Sequence, residues 1–185
     1  MEQILFVNAC VRPQSRTLRL AQTVLDRLSG HLVEVDLSAT PVPCLDSEGL
    51  SRRNNLLNAG NFDDPMFHHA IQFSRADTIV IAAPYWDLMF PALLKAYLEA
   101  VTVSGLTFRY TDAGYPASLC NAKRLIYVTT AGGYIGEYDF GFRYVAAIAK
   151  GFFGISDVSC ISAEGLDIVG ADVECILHAA TEKSF

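Results

Sequence analysis

The sequence predicts a doubly wound α/β fold, in which helices cover both faces of a five-stranded parallel sheet. Segments whose apolar residues recur every three or four positions alternate with five short apolar segments, which start at residues 4, 32, 78, 124 and 157. The periodic segments are typical of amphipathic helices and the short apolar segments of strands. Their alternation favours parallel strands joined by helices. The 185 residues, 51% hydrophobic and 18% charged, indicate one packed domain over residues 1–185.

The first half of the chain holds three of the strands. Residues 4–7 and 78–83 are continuous apolar runs, and residues 32–37 alternate apolar and polar side chains as an edge strand does. Residues 17–28 place leucines and an alanine on one helical face, and Gly30 is positioned to end that helix. This strand–helix–strand unit predicts a right-handed crossover between parallel strands.

Residues 38–62 are the least regular part of the sequence. They contain two prolines, two glycines and an Asn-rich patch, and a short helix over residues 48–57 is the one element the pattern favours. Such an insertion is either a binding loop or a solvated connection, and the sequence leaves both open. The next helix begins at Asp64, with Pro65 in its first turn.

The second half supplies the remaining strands and helices. Pro91 begins a helix that runs to Val103, and residues 107–111 are extended and followed by a turn. The fourth and fifth strands and the last two helices are predicted at residues 124–129, 157–161, 140–151 and 170–181.

Composition excludes several classes of function. The net charge of −6 and the pI of about 5.1 offer no basic footprint for nucleic acid or an anionic membrane. The longest apolar run, residues 78–84, is too short to span a bilayer, and no basic region precedes the first strand as in a signal peptide. Five scattered cysteines without a C-x-x-C pair favour reduced thiols in the cytoplasm, and the four histidines lack metal-ligand spacing.

The loop after the first strand is suited to a phosphate group. Hydroxyl and guanidinium donors precede or open a predicted helix, whose first N–H groups attract anions. These donors are Arg12, Ser15, Arg16 and Thr17. The loop has no glycine, so it is neither a P-loop nor a Rossmann fingerprint. Alternatively, Ser15 or Thr17 is a helix N-cap, a role that is compatible with phosphate binding.

The loops after the third and fourth strands are suited to a flat ligand. They follow neighbouring strand ends, where open α/β sheets bind their ligands. The first loop contains Pro84, Tyr85, Trp86, Asp87 and Leu88, and the second contains Thr129, Thr130, Ala131, Gly132, Gly133 and Tyr134. Adjacent glycines let backbone approach a ligand closely. The alternatives are that the aromatics only cover the sheet and that the glycines only form a turn.

Three segments resemble the flavodoxin-like NAD(P)H:quinone oxidoreductases and FMN-dependent NADH azoreductases. The first is Pro-Tyr-Trp-x3-Phe-Pro-Ala-x-Leu-Lys-x-Tyr at residues 84–97. The others are Gly-Leu-Thr-Phe-Arg-Tyr-Thr at residues 105–111, and Gly-Ile-Ser-Asp-Val at residues 154–158 with Ala-Glu-Gly at residues 163–165. The resemblance spans about residues 4–177. It implies a flavodoxin-like three-layer sandwich with strand order 2-1-3-4-5, and FMN between strands 1 and 3.

The resemblance also implies roles for the loops. Ser15-Arg16-Thr17 matches the phosphate-binding segment of the family, although Ala9 and Cys10 stand where many relatives place a serine. Residues 84–88 and 129–134 would line the flavin ring, with backbone N–H groups near Asp87, Leu88 and Gly132–Gly133 as hydrogen-bond donors. Cys10 is either a reactive thiol or a small buried residue.

The function that the resemblance implies is two-electron reduction of quinones or azo compounds. NADH or NADPH is the donor, the scheme is ping-pong, and the flavin performs the chemistry without a catalytic side chain or metal. Family members are usually homodimers with the site at the interface. The alternatives are a non-catalytic FMN electron carrier of the flavodoxin type and a relative that has lost flavin.

Overall fold

A computed structural model describes residues 1–182 of the chain. Within that range, five parallel strands form the central sheet in the order β2-β1-β3-β6-β7. They are β1 (Gln3–Asn8), β2 (His31–Asp36), β3 (Thr78–Ala82), β6 (Arg124–Thr130) and β7 (Asp157–Ala163). Two further strands, β4 (Phe108–Tyr110) and β5 (Pro116–Ser118), pair as a separate antiparallel hairpin.

Helices follow the strands on both faces of this sheet. The α-helices are α1 (Arg16–Leu25), α2 (Ser47–Asn58), α3 (His68–Arg75), α4 (Ala92–Val101), α5 (Phe140–Gly151) and α6 (Val173–Glu182). The doubly wound, flavodoxin-like prediction is confirmed. Counted within the central sheet alone, the strand order is second, first, third, fourth, fifth; the hairpin adds two strands to the numbering.

Two apolar layers on opposite faces of the sheet hold the three-layer sandwich together. Alternate residues of β1 enter different layers, Leu5 and Val7 on one face and Ile4 and Phe6 on the other. The first layer packs against α3, α4 and α5, and the second against α1 and α6. Because both faces of β1 are covered, its sequence is a continuous apolar run instead of an alternating one.

The end of α1 differs from the prediction. The helix stops at Leu25, with Asp26 as its C-cap, so Gly30 does not end it. Gly30 instead lies so close to the first strand that a Cβ there would be 2.6 Å from the carbonyl oxygen of Glu2. Close backbone approach, and not helix termination, therefore requires glycine at this position.

The irregular segment 38–62 contains the predicted helix. This helix, α2, follows its N-cap Asp46, whose carboxylate accepts a hydrogen bond of 2.7 Å from the N–H of Gly49, and none of its side chains is fully buried. Asp64 caps a short 3₁₀ turn at Pro65–Phe67 that continues into α3, also as predicted. No helix within the described residues has the length and hydropathy needed to cross a membrane.

Thr107 fastens the hairpin to the end of α4. Its side chain is fully buried, and its hydroxyl donates to the Val101 carbonyl at 2.7 Å and accepts from the Val103 N–H at 3.1 Å. One hydroxyl thus satisfies backbone groups at the point where α4 has ended and β4 has not begun.

We expect Thr107→Val to lower the free energy of unfolding by about 1–3 kcal/mol, because it removes a buried hydroxyl that bonds the Val101 carbonyl and both the N–H and the carbonyl of Val103. Urea denaturation measures the loss. Thr102→Val is the matched control, because its hydroxyl makes a single hydrogen bond, to the Leu98 carbonyl, which also accepts the Thr102 N–H. Equal losses in the two variants would contradict the role given to Thr107.

Candidate functional site

Loops that follow four strands of the central sheet enclose a cavity of about 180 Å³. The chain leaves β1 toward β2 on one side, whereas β3 lies on the other, so the cavity occupies the switch point of the sheet. Its walls are residues 11, 12 and 14–17 after β1, residues 84–86 after β3, Thr130 and Gly132 at the end of β6, and Asp167 after β7.

The start of α1 supplies donors for an anion. Ser15 is the N-cap, as one sequence alternative predicts, and its hydroxyl accepts from the Leu18 N–H at 3.2 Å. The N–H groups of Arg16 and Thr17 make no hydrogen bond within residues 1–182. Since these unpaired N–H groups carry the positive end of the helix dipole, this end of the cavity favours negative charge.

A buried hydroxyl pair joins the loop after β1 to the end of β6. The Oγ1 atoms of Thr17 and Thr130 lie 2.6 Å apart, and both residues line the cavity. The Thr130 carbonyl also accepts from the Tyr85 N–H at 3.1 Å, which connects the loop after β3 to the same point. Thr130 therefore fixes the spacing of three cavity walls.

The loop after β3 ends in a strained turn. Trp86 and Met89 exchange two backbone hydrogen bonds of 3.0 and 2.7 Å around Asp87 and Leu88, which have φ of 49° and 67°. Such a turn prefers Asn-Gly, and a left-handed leucine costs about 1–2 kcal/mol. The N–H groups of Asp87 and Leu88 have no backbone partner in the part of the chain described. Strain of this kind concentrates at ligand sites.

Three backbone hydrogen bonds join the loops after β6 and β7. The N–H groups of Gly165, Leu166 and Asp167 donate to the carbonyls of residues 133, 131 and 132 at 2.9, 3.2 and 2.9 Å. A Cβ at Gly132 would lie 2.1 Å from Asp167 Oδ2, whereas one at Gly133 would meet open space. A side chain at position 132 would therefore displace the exposed Asp167 carboxylate, which lies against the glycine.

Nine of the fifteen predicted site residues line this cavity: Arg12, Ser15, Arg16, Thr17, Pro84, Tyr85, Trp86, Thr130 and Gly132. The other six do not. Thr129 and Ala131 flank Thr130 in an extended segment, so their side chains point away from it and are buried. Asp87, Leu88, Gly133 and Tyr134 are exposed beside the cavity. The ligand roles of all fifteen stay predictions.

Sequence reasoning missed three residues of the cavity wall: Val11, Gln14 and Asp167. Val11 and Gln14 are neighbours of predicted residues. Asp167 follows the fifth strand, and the rule that parallel strand ends meet at one edge is the signal that would have included it.

Tyr85 is anchored to the loop before α5. Its hydroxyl donates to the Tyr138 carbonyl at 3.2 Å. Partial desolvation raises the pKa of the Tyr85 phenol, and the carboxylates of Asp139 and Glu164 raise it further. Tyr85 is therefore protonated at neutral pH and remains a hydrogen-bond donor.

Cys10 is a buried thiol and not a reactive one. Burial raises its pKa to about 11, so the thiolate needed for nucleophilic chemistry is scarce at neutral pH. Of the two sequence alternatives for this residue, the small buried side chain is confirmed.

A second cavity of about 590 Å³ lies between residues 40–53 and the α3–α4 face. Its lining is mostly apolar, as at Val42, Leu45, Phe67 and Ala96, and it shares no residue with the first cavity. The irregular segment 38–62 thus borders this second cavity and not the strand ends.

Comparisons with known proteins agree with the fold. A family model described as "Flavodoxin-like fold" matches residues 2–184. The FMN-dependent NADH:quinone oxidoreductase 2 of Clostridium acetobutylicum is 35% identical over all of this chain (100%) and 96% of its own. The FMN-dependent NADH:quinone oxidoreductase of Clostridium beijerinckii has the same identity, 35%, and the same coverage, 100% and 96%.

Solved structures are similar over the whole chain. An azoreductase from Bacillus anthracis str. Sterne has a TM-score of 0.85 at 26% identity and covers 99% of this chain and 96% of its own. An FMN-dependent NADH-azoreductase from Bacillus anthracis str. Ames Ancestor in complex with FMN has a TM-score of 0.79 and covers 100% of both chains. At 21% identity, this second structure shows similarity of fold alone.

The burial of the cysteines predicts that two of five thiols react rapidly with Ellman's reagent at about pH 8. Cys44 and Cys175 are exposed, whereas burial raises the pKa of Cys10 to about 11 and those of Cys120 and Cys160 to about 12. In the folded variant with Cys44→Ser and Cys175→Ser, the fast phase should vanish. A fast phase in that variant, mapped to Cys10 by mass spectrometry, would contradict this account.

Proposed function

The chain belongs to the family of proteins with the flavodoxin-like fold, and from this premise we propose that it is an FMN-dependent NADH:quinone oxidoreductase that also reduces azo compounds. One observation carries the proposal. A single cavity joins the donor-rich start of α1 to an aromatic loop and a glycine, which are the surroundings that a phosphate and a flat ring need.

The residues present fit FMN. At the anion end, the N–H groups of Arg16 and Thr17 are unpaired and Arg12 adds a cation. At the other end, Tyr85 and Trp86 offer aromatic surface to a flat ring. Ala9 is fully buried at the start of this loop and offers no side-chain donor to a phosphate.

FMN, when bound, supplies the chemistry, which is to accept a hydride from NADH and to pass two electrons to a quinone or azo compound. The residues of the chain bind FMN and position it. The start of α1 would hold the phosphate, and the hydroxyl pair of Thr17 and Thr130 fixes the spacing between the start of α1 and the end of β6. The strained turn presents the N–H groups of Asp87 and Leu88 as hydrogen-bond donors beside Trp86. Tyr85, with its raised pKa, keeps its proton.

We propose that the active form is a cytoplasmic homodimer. Large apolar side chains are exposed around the cavity mouth, namely Leu88, Tyr134, Tyr138 and Phe140. Contiguous exposed apolar surface favours association, and a second copy would cover it. All five cysteines are free thiols, which supports a reducing compartment. Sedimentation velocity should give about twice the chain mass of 20.2 kDa, and a monomer at micromolar concentration would contradict the dimer.

Steady-state kinetics test the function directly. The purified protein, loaded with FMN, should oxidise NADH in the presence of a quinone such as menadione. Donor and acceptor use the same mouth of the cavity in turn, so double-reciprocal plots at several fixed quinone concentrations should be parallel. Intersecting lines would show that both substrates bind together. Absence of NADH oxidation would leave an FMN electron carrier as the function.

Trp86→Ala should weaken FMN binding about tenfold, because stacking on the aromatic loop is lost. Fluorescence titration of FMN with the apoprotein measures this. Phe62→Ala is the control, since Phe62 is a half-buried aromatic that packs on Phe67 away from the cavity. It should lower the melting temperature and leave FMN affinity unchanged. A Trp86→Ala variant that loses only thermal stability would show that Trp86 is packing.

A further inference from the structure

The anion end of the cavity contains a carboxylate as well as cations. Arg12 and Arg16 line it together with Asp167, and Arg16 Nη2 donates to Asp167 Oδ1 at 2.8 Å. Arg16 Nη1 donates to the Leu166 carbonyl at 3.0 Å. The positive charge of Arg16 is therefore matched by an acid of the chain itself, at the place where a phosphate would bind.

The position of this pair separates it from the other ion pairs of α1. Two further arginines near α1 also pair with acids of the C-terminal segment, Arg19 with Glu174 and Arg27 with Glu182. Neither pair borders the cavity. All three are arginine–carboxylate pairs. If only the substitution of Asp167 changes ligand affinity, the cause must be the position of Asp167 in the cavity wall.

Asp167 is held by its backbone. Its N–H donates to the Gly132 carbonyl at 2.9 Å, and its carboxylate lies where a side chain on Gly132 would be. The carboxylate thus sits between the start of α1 and the glycine loop. An anion bound at the N–H groups of Arg16 and Thr17 would share the cavity with both the guanidinium of Arg16 and this carboxylate.

We propose that Asp167 is a specificity-determining residue that limits the attraction of the cavity for the phosphate of FMN. The inference rests on the proposed function. Arg12, Arg16 and Asp167 together carry a net charge of +1, and loss of the carboxylate charge would make it +2. A dianionic phosphate responds to that difference, whereas riboflavin, which has the same ring and no phosphate, does not.

A purely structural role predicts the opposite sign. If the carboxylate only positioned Arg16 to donate to the phosphate, its loss would free the guanidinium to move and would weaken FMN binding. If it competes with the phosphate for Arg16, its loss strengthens FMN binding. The sign of the change in FMN affinity therefore distinguishes the two roles.

The test is the affinity of apoprotein for FMN and for riboflavin, measured by calorimetry in the wild type, Asp167→Asn and Glu174→Gln. Asp167→Asn should bind FMN about three- to tenfold more tightly and leave riboflavin within about twofold. Glu174→Gln removes the same charge from the pair of Arg19 and should change neither. The gain in FMN affinity should shrink as the salt concentration rises from about 0.02 M to about 0.5 M. Unchanged or weaker FMN binding, or an equal change for riboflavin, would overturn the proposal.

Failure of the proposed function gives a different result. If the wild type binds riboflavin as tightly as FMN, the phosphate assignment is wrong, and inorganic phosphate becomes the probe for Asp167. Tighter phosphate binding by Asp167→Asn than by Glu174→Gln, measured as a rise in melting temperature, would still support the charge role, and equal binding would overturn it. Asp167→Ser is the second variant should Asp167→Asn fail to fold.

Discussion

The pairing of β1 with β2 on one side and β3 on the other is the constraint on which the rest of the structure depends. Because the chain crosses to opposite faces of the sheet from this point, a crevice opens at the carboxyl ends of β1 and β3. The start of α1 borders that crevice with two unpaired N–H groups, and the aromatic loop after β3 forms the facing wall. The site is thus a consequence of strand order, and the side chains only refine it.

The elements of the sheet could be predicted because burial on both faces leaves a direct mark on the sequence, as in the apolar run of β1. The end of α1 could not, since Gly30 resembles a helix terminator and is instead a point of close backbone approach to Glu2. The left-handed turn at Asp87 and Leu88 could not be predicted either, because neither position is a glycine. The strand-end rule could have placed Asp167 in the site, but its pairing with Arg16, 151 residues away, is visible only in the fold.

Backbone N–H groups without protein partners and a strained residue lie together around the cavity. Within residues 1–182, two N–H groups at the start of α1 have no hydrogen-bond partner and two in the strained turn beside Trp86 have no backbone partner, while Leu88 adopts a conformation that suits glycine. The left-handed leucine costs folding free energy, and a ligand that pairs with the free N–H groups would stabilise the folded state. Binding to the folded state alone then stabilises the protein in proportion to the logarithm of ligand concentration. The larger cavity also borders a helix start, that of α2, but there the carboxylates of Asp46 and Glu48 oppose an anion.

A crystal structure of the FMN complex tests the central claim most directly. The account predicts the phosphate within hydrogen-bond distance of the N–H groups of Arg16 and Thr17, and the ring against Trp86 and Gly132. A phosphate located away from the start of α1, or a flavin bound in the larger cavity between residues 40–53 and the α3–α4 face, would contradict it.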